Sequence, residues 1–92
     1  MALSAVRIVV TGRVQGVGFR AHAAERAGEL GLRGFVRNRE DGAVETLAEG
    51  SPAAIEAYLA ALRSGPPGAS VADLAVDYVS EGEVSESGFS VR

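Results

Sequence analysis

A glycine-rich segment between a strand pattern and a helix pattern constrains the fold most strongly. Residues 12–20 follow the apolar run of residues 6–10 and precede an alanine-rich stretch with helical spacing. Glycines in such a segment let the backbone turn with positive φ and approach a ligand closely. Backbone N–H groups at the start of a helix attract anions, and Arg20 adds a planar cation that matches phosphate oxygens. The segment therefore predicts an oxyanion site; the alternative is a glycine turn without a ligand.

The spacing of the glycines excludes two common nucleotide-binding loops. A Walker loop requires a lysine after its last glycine, and the chain contains no lysine. A dinucleotide fingerprint requires G-x-G-x-x-G, whereas the glycines here fall as G-x-x-x-G-x-G. The segment therefore indicates a phosphate site of another kind.

Length and composition predict one soluble domain over residues 1–92. The chain has 92 residues, of which 47% are hydrophobic and 23% are charged, as is typical of a globular domain. Because it has no cysteine and one histidine, we expect no disulfide, no thiol nucleophile and no metal site built on cysteines or histidines. Neither a signal peptide nor an apolar run of about 20 residues is present, so we expect a cytoplasmic protein that does not bind membranes.

The charge is distributed unevenly along an acidic chain. The net charge is −3, yet residues 1–39 hold seven arginines against two glutamates (+5), and residues 40–92 hold two arginines against ten acids (−8). The net charge argues against general nucleic-acid binding. The basic half, which contains the glycine segment, favours a small anionic substrate; alternatively, its arginines only solvate the surface.

Apolar periodicity predicts two helices. The first follows the glycine segment and ends at Gly31, a C-cap glycine. The second begins at Ser51 and Pro52, an N-cap and a first-turn proline, and ends at the glycine–proline cluster of residues 64–68. Their apolar stripes consist, in chain order, of Phe19, Ala23, Ala27 and Leu30, and of Ile55, Tyr58, Leu59 and Leu62.

Alternation of apolar and polar residues predicts five strands. An acidic loop, residues 80–87, precedes the last of them and is interpreted as a solvated connection. The resulting order, β-α-β-β-α-β with a short extra C-terminal strand, predicts an α+β ferredoxin-like sandwich in which an antiparallel sheet carries two helices on one face. The strand ranges are residues 6–10, two arms of a hairpin within residues 34–50, residues 74–78 and residues 88–92.

Asn38 is unusual within its predicted strand. Strand parity places it on the face of Val36, and asparagine is a poor strand former. It is therefore either part of the turn chemistry that follows or an oriented amide in a site. His22, on a polar face of the first helix, is interpreted as a solvated residue rather than a general base.

Two stretches together resemble a known enzyme family. The first is Val-Thr-Gly-Arg-Val-Gln-Gly-Val-Gly-Phe-Arg at residues 10–20. The second is Gly-Phe-Val-Arg-Asn at residues 34–38, followed by Gly42, Val44 and Gly50. Both resemble the signatures of the acylphosphatase family, and the likeness extends over nearly the whole chain.

The resemblance implies hydrolysis of small acyl phosphates to a carboxylate and inorganic phosphate, without a metal, another cofactor or a covalent intermediate. It implies a monomer whose substrates are compounds such as acetyl phosphate, carbamoyl phosphate or 1,3-bisphosphoglycerate, with inorganic phosphate as product and inhibitor. Arg20 would hold the phosphate, and Asn38 would orient the attacking water. The phosphate-binding loop implied by the family consists of Gln15, Gly16, Val17, Gly18, Phe19 and Arg20.

One departure from the family pattern and two alternatives remain open. Ala21-His22-Ala23 follows Arg20 where many members carry bulkier or aromatic residues, which leaves the preferred acyl group open. Residues 33–35 resemble the start of an RNA-recognition signature, but Arg37 and Glu40 occupy positions whose aromatic rings would stack on bases. The chain also resembles the acylphosphatase-like segment of carbamoyl-transferring hydrogenase maturation proteins; because it stops at Arg92, a freestanding enzyme is expected.

Overall fold

Two helices lie on one face of a five-stranded sheet in the computed structural model, which describes residues 2–92 except the side chain of Glu81. The four longer strands pair antiparallel, and the fifth joins the sheet parallel to β2, in the order β4-β1-β3-β2-β5. This arrangement confirms the predicted ferredoxin-like fold and adds a parallel pair at one edge. The elements are β1 (Ser4–Arg13), α1 (Phe19–Glu29), β2 (Arg33–Asn38), β3 (Val44–Gly50), α2 (Pro52–Ser64), β4 (Ser70–Val79) and β5 (Phe89–Val91).

The core between the sheet and the helices contains the apolar residues that the helical and strand periodicities predict to be buried. Alternate residues of β1 and the predicted stripes of both helices are buried in it, and Leu30 packs at its margin. The Tyr58 hydroxyl donates to Thr46 Oγ1 over 2.8 Å, because Thr46 donates its own proton to the Phe35 carbonyl, also over 2.8 Å. Burial raises the pKa of the Tyr58 phenol above its ordinary value.

Both helices are capped as the sequence predicts. At the end of α1, Leu32 N–H donates to the Ala27 carbonyl over 2.9 Å, and Gly31 N–H donates to the Gly28 carbonyl over 3.2 Å. This pair of bonds is the Schellman motif. At the start of α2, Ser51 Oγ accepts a hydrogen bond from the N–H of the third helical residue. The caps therefore place the start of β2 and the end of β3 close to the helix ends.

Gly12 belongs to β1, which is longer than predicted. The pairing of β1 with β4 shifts register between Thr11 and Gly12. A Cβ at Gly12 would lie 2.3 Å from the Ser70 carbonyl oxygen and 2.6 Å from Ala72 N. Gly12 therefore permits close strand contact, and the loop that follows contains only two of the three glycines.

The acidic loop is a largely exposed connection, as predicted, but it also packs across the face of the sheet opposite the helices. Val84 is buried there against Ala5 and Leu47. Arg33 Nη1 donates to the Glu86 carbonyl over 2.9 Å. The expectation for Glu81 concerns a side chain outside the described residues. The loop therefore gives the second face of the sheet a small core of its own.

Candidate active site

One cavity of about 280 Å³ lies where the β1–α1 loop meets the end of β2 and the strand β5. The loop brings its glycines and the first residues of α1 to this cavity, β2 brings its last residue, and β5 closes one side. Five of the predicted site residues therefore lie around a single space. The lining residues are Val14, Gly16, Gly18, Phe19, Arg20, Ala21, Asn38 and Val91.

The backbone conformation of the loop requires its glycines, although there is room for a side chain at each. Gly16 has φ +75° and Gly18 has φ +80°, and an added Cβ at either would meet nothing within 4 Å. The first bond of α1 is donated by His22 N–H to the Gly18 carbonyl over 3.0 Å. The N–H groups of the first turn therefore have no intrahelical acceptor, and Gly18 has no side chain to cap them. These donors and the helix dipole favour an anion in the cavity.

Gln15 connects the loop to the turn between β2 and β3. Its Nε2 donates to the Arg39 carbonyl over 2.8 Å and to the Ala43 carbonyl over 2.9 Å. Val17 packs partly buried against the core. Neither side chain lines the cavity, so any contact of these two residues with a phosphate would come from their backbone N–H groups.

Arg20 is the only charged residue among the described lining residues. It is half-buried, and its Nη1 donates to the Arg92 carbonyl oxygen over 2.7 Å. This bond holds the guanidinium beside β5 and leaves its other N–H groups available. A planar cation with several donors suits the oxygens of a phosphate.

Asn38 lies at the end of β2, on the same side of the sheet as Val36. Its side chain is half-buried and makes no hydrogen bond within the described part of the chain. The turn that follows is instead closed by Asp41, whose Oδ1 accepts from Ala43 N–H over 3.1 Å. That N–H, with Arg39, holds the pKa of Asp41 below its ordinary value. The amide of Asn38 is therefore not used by the turn.

The excess of arginine in the first half of the chain does not converge on the cavity. Five of its seven arginines form ion pairs with carboxylates, at positions 7, 26, 33, 37 and 39. His22 also points elsewhere, with its Nε2 3.3 Å from the Ala61 carbonyl oxygen of α2. The local field on an anion in the cavity therefore depends on Arg20 and the start of α1.

The sequence did not indicate that β5 borders the site. Val91 pairs with Val36 in the parallel ladder and lines the cavity, while the next residue supplies the acceptor for Arg20. Alternation predicted the strand itself. Its own residues do not specify which strand it pairs with, because the pairing joins segments that are far apart in sequence.

A family model described as Acylphosphatase matches residues 6–91. The chain belongs to the acylphosphatase family. The acylphosphatase of Methylococcus capsulatus is 55% identical over 71 residues, which make up 77% of each chain. The crystal structure of acylphosphatase from Bacillus subtilis has a TM-score of 0.89 and 41% identity and covers 99% of both chains. Family and fold together support an enzyme that hydrolyses acyl phosphates.

A larger protein contains a similar unit. Full-length HypF, solved in a phosphate- and nucleotide-bound form, has a TM-score of 0.85 and 26% identity; the match covers 99% of this chain and 12% of that one. In the part of the acylphosphatase chain that the structure describes, neither a metal cluster nor a membrane-spanning helix is found. Among the described side chains, which do not include that of Glu81, no group of three or more histidine, aspartate or glutamate residues could hold a metal ion. None of the described helices has the length and apolar character to cross a membrane.

Proposed function

We propose that the cavity is the active site, in which the β1–α1 loop and Arg20 bind the phosphate of an acyl phosphate and Asn38 orients the attacking water. The observation that carries the proposal is the convergence of three independent elements on one space. They supply unpaired backbone donors, one arginine and one amide that the turn does not use. This hydrolysis requires donors that bind the phosphate, a cation that fits it and a neutral group that can hold water.

The proposed mechanism relies on positioning and electrostatics. The water oxygen forms a bond to phosphorus while the bond from phosphorus to the acyl oxygen breaks, and the carboxylate leaves with the electron pair. Both water protons remain on the phosphate product as H₂PO₄⁻, which then exchanges one of them with solvent. Because a carboxylate is a good leaving group, a weak nucleophile suffices once it is aligned. Arg20 and the loop N–H groups stabilise the charge on the phosphoryl oxygens, and the neutral Asn38 amide avoids the repulsion that a carboxylate would cause.

The proposal includes the finer features that the family resemblance implied. Candidate substrates are acetyl phosphate, carbamoyl phosphate and 1,3-bisphosphoglycerate, and inorganic phosphate acts as product and competitive inhibitor. A monomer is part of the proposal because the family resemblance implies it. The cytoplasmic location stays a prediction from the sequence. Charge neutralisation by Arg20 and backbone N–H groups predicts turnover that resists a chelator.

The proposal is tested by steady-state hydrolysis of benzoyl phosphate, with and without EDTA, in Arg20→Ala and Asn38→Ala variants. Arg20→Ala should abolish inhibition by inorganic phosphate and nearly all turnover, because it removes the one cation among the described lining residues. Asn38→Ala should lower kcat by roughly 10²-fold, as is typical for loss of one positioned polar group, while phosphate inhibition persists. Arg63→Ala, at an exposed arginine outside this cavity, is the matched control.

Two results would contradict the proposal. Near wild-type kcat in Asn38→Ala would exclude its role toward water. Undiminished competition by inorganic phosphate in Arg20→Ala would exclude Arg20 as the phosphate ligand. Circular dichroism of each variant separates loss of function from loss of fold.

A further inference from the structure

The cavity has an apolar side that a bound phosphate does not use. Ala21 is exposed there, and Val91 of β5 is 53% exposed. Val14 and Phe19 line the same cavity but are almost fully buried, so they offer it little surface. The accessible apolar wall therefore consists mainly of Ala21 and Val91.

Both wall residues are held in place beside Arg20. Ala21 follows it directly in α1. Val91 precedes Arg92, whose carbonyl oxygen accepts the 2.7 Å hydrogen bond from Arg20, and Val91 is also paired with Val36 across the parallel ladder. A small substrate whose phosphate contacts Arg20 therefore has its acyl end within reach of this wall.

The wall offers no charge to the acyl group. Among the lining residues that the structure describes, only Arg20 is charged, and the phosphate uses it. The guanidinium of Arg92 lies 3.9 Å from the ring centroid of Phe35 and pairs with Glu86, on the side of the sheet that faces away from the helices. A carboxylate or second phosphate on the acyl group would lose hydration at this wall without gaining a partner.

We propose that Ala21 and Val91 contact the acyl group and make the site selective for uncharged, apolar acyl phosphates up to the size of a benzoyl ring. The inference rests on the proposed function, because it assumes that the phosphate lies at Arg20. The small side chain of Ala21 leaves width for a ring, and Val91 supplies apolar surface that the ring covers. Acetyl and benzoyl phosphate are therefore better substrates than 1,3-bisphosphoglycerate, whose acyl group carries a second phosphate.

The test measures kcat/KM for these three substrates in the wild type, Val91→Ala and Ala21→Leu. Val91→Ala removes two half-exposed methyl groups, so benzoyl phosphate should lose about three- to tenfold and acetyl phosphate less than about twofold. Ala21→Leu fills the width that a ring needs, so benzoyl phosphate should lose about tenfold or more, with a smaller loss for acetyl phosphate. Ala60→Leu, on the exposed side of α2, is the matched control and should change neither ratio.

Inhibition by inorganic phosphate separates the two proposals. It should be unchanged in both wall variants, because they retain Arg20 and the loop. An unchanged substrate ratio in both variants, or equal losses for benzoyl and acetyl phosphate, would overturn the inference and leave the phosphate site standing. A wild type that prefers 1,3-bisphosphoglycerate to benzoyl phosphate would also overturn it. Failure of the proposed function itself would be seen instead in Arg20→Ala, as retained phosphate inhibition. Thermal unfolding establishes whether each variant folds. If one wall variant does not fold, the substrate ratio in the other decides the test.

Discussion

Gly12 and Gly16 both have positive φ, +121° and +75°, but only Gly12 also lies against another strand. At Gly12 an added Cβ would collide with the backbone of β4, at 2.3 Å from the Ser70 carbonyl oxygen. At Gly16 the surrounding space is empty, and only the left-handed backbone, with φ +75°, favours glycine. One residue therefore serves the sheet and the other serves the loop.

We predict that Gly12→Ala and Gly16→Ala separate stability from activity. Gly12→Ala should lower the free energy of unfolding by about 3 kcal/mol or more, because backbone must move. Gly16→Ala should cost about 1–2 kcal/mol for the left-handed conformation, yet lower kcat/KM more than its stability loss explains, since the loop shifts. Urea unfolding and steady-state kinetics measure both quantities. Equal destabilisation by the two substitutions would refute this distinction.

At the scale of elements, the site depends on contacts between segments far apart in sequence. Gln15 bonds to two carbonyls of the β2–β3 turn, and the last residue of β2 before that turn is Asn38. Arg20 at the start of α1 bonds to the residue after β5. The proposed phosphate site and the proposed water site are therefore held at a fixed separation by side-chain bonds as well as by the sheet.

Removal of the Gln15 bonds should affect the chemical step more than phosphate binding. In Gln15→Ala the loop keeps its glycines and Arg20, so the Ki of inorganic phosphate should change little. A small shift of the loop relative to Asn38 should lower kcat by about tenfold, because misplacement by about 1 Å can cost up to 10²-fold. Gln15→Glu should be no better, since a carboxylate cannot donate to carbonyls. A Ki of inorganic phosphate that rises by as large a factor as kcat falls would contradict this prediction.

For the whole molecule, the two faces of the sheet are stabilised differently. The face toward the helices is a continuous apolar core that contains one polar pair, Thr46 and Tyr58. The opposite face combines the small cluster around Val84 with ion pairs, including Arg33 Nε to the buried Glu49 carboxylate at 2.6 Å. The helix face therefore has one group, the Tyr58 phenol, whose ionisation opposes folding.

Stability should fall at alkaline pH because of Tyr58. Burial raises the pKa of this phenol above its ordinary value of 10.0, so its contribution to stability is complete below about pH 10 and is lost as the pH rises above that. In that range the unfolded chain loses the proton that the folded chain keeps. Urea unfolding between pH 8 and pH 11 should show the decline in the wild type and in Tyr78→Phe, whose ring is 65% exposed. The same decline in Tyr58→Phe would assign the effect to another group. At neutral pH, Tyr58→Phe should cost about 1 kcal/mol for one buried hydrogen bond.

The sequence by itself determined the elements and the candidates for the proposed site. Helix stripes, caps and strand alternation are local patterns, so the helices, the hairpin and the order of the chain could be read before any contact was known. The glycine loop, Arg20 and Asn38 could also be identified, because φ preference, permanent charge and poor strand propensity belong to single residues. Two signatures in order named the family, and the matching family model confirmed it.

Only the tertiary structure decided what depends on contacts between distant segments. Gly12 was assigned to the loop because its own conformational freedom does not reveal that β4 lies against it. The charges of the acidic loop predict a solvated connection but do not reveal that Val84 within it is buried. Val91 became part of the cavity through the parallel pairing of β5 with β2. These features depend on which segments pack or pair with each other, and short-range periodicity carries no information about contacts between distant segments.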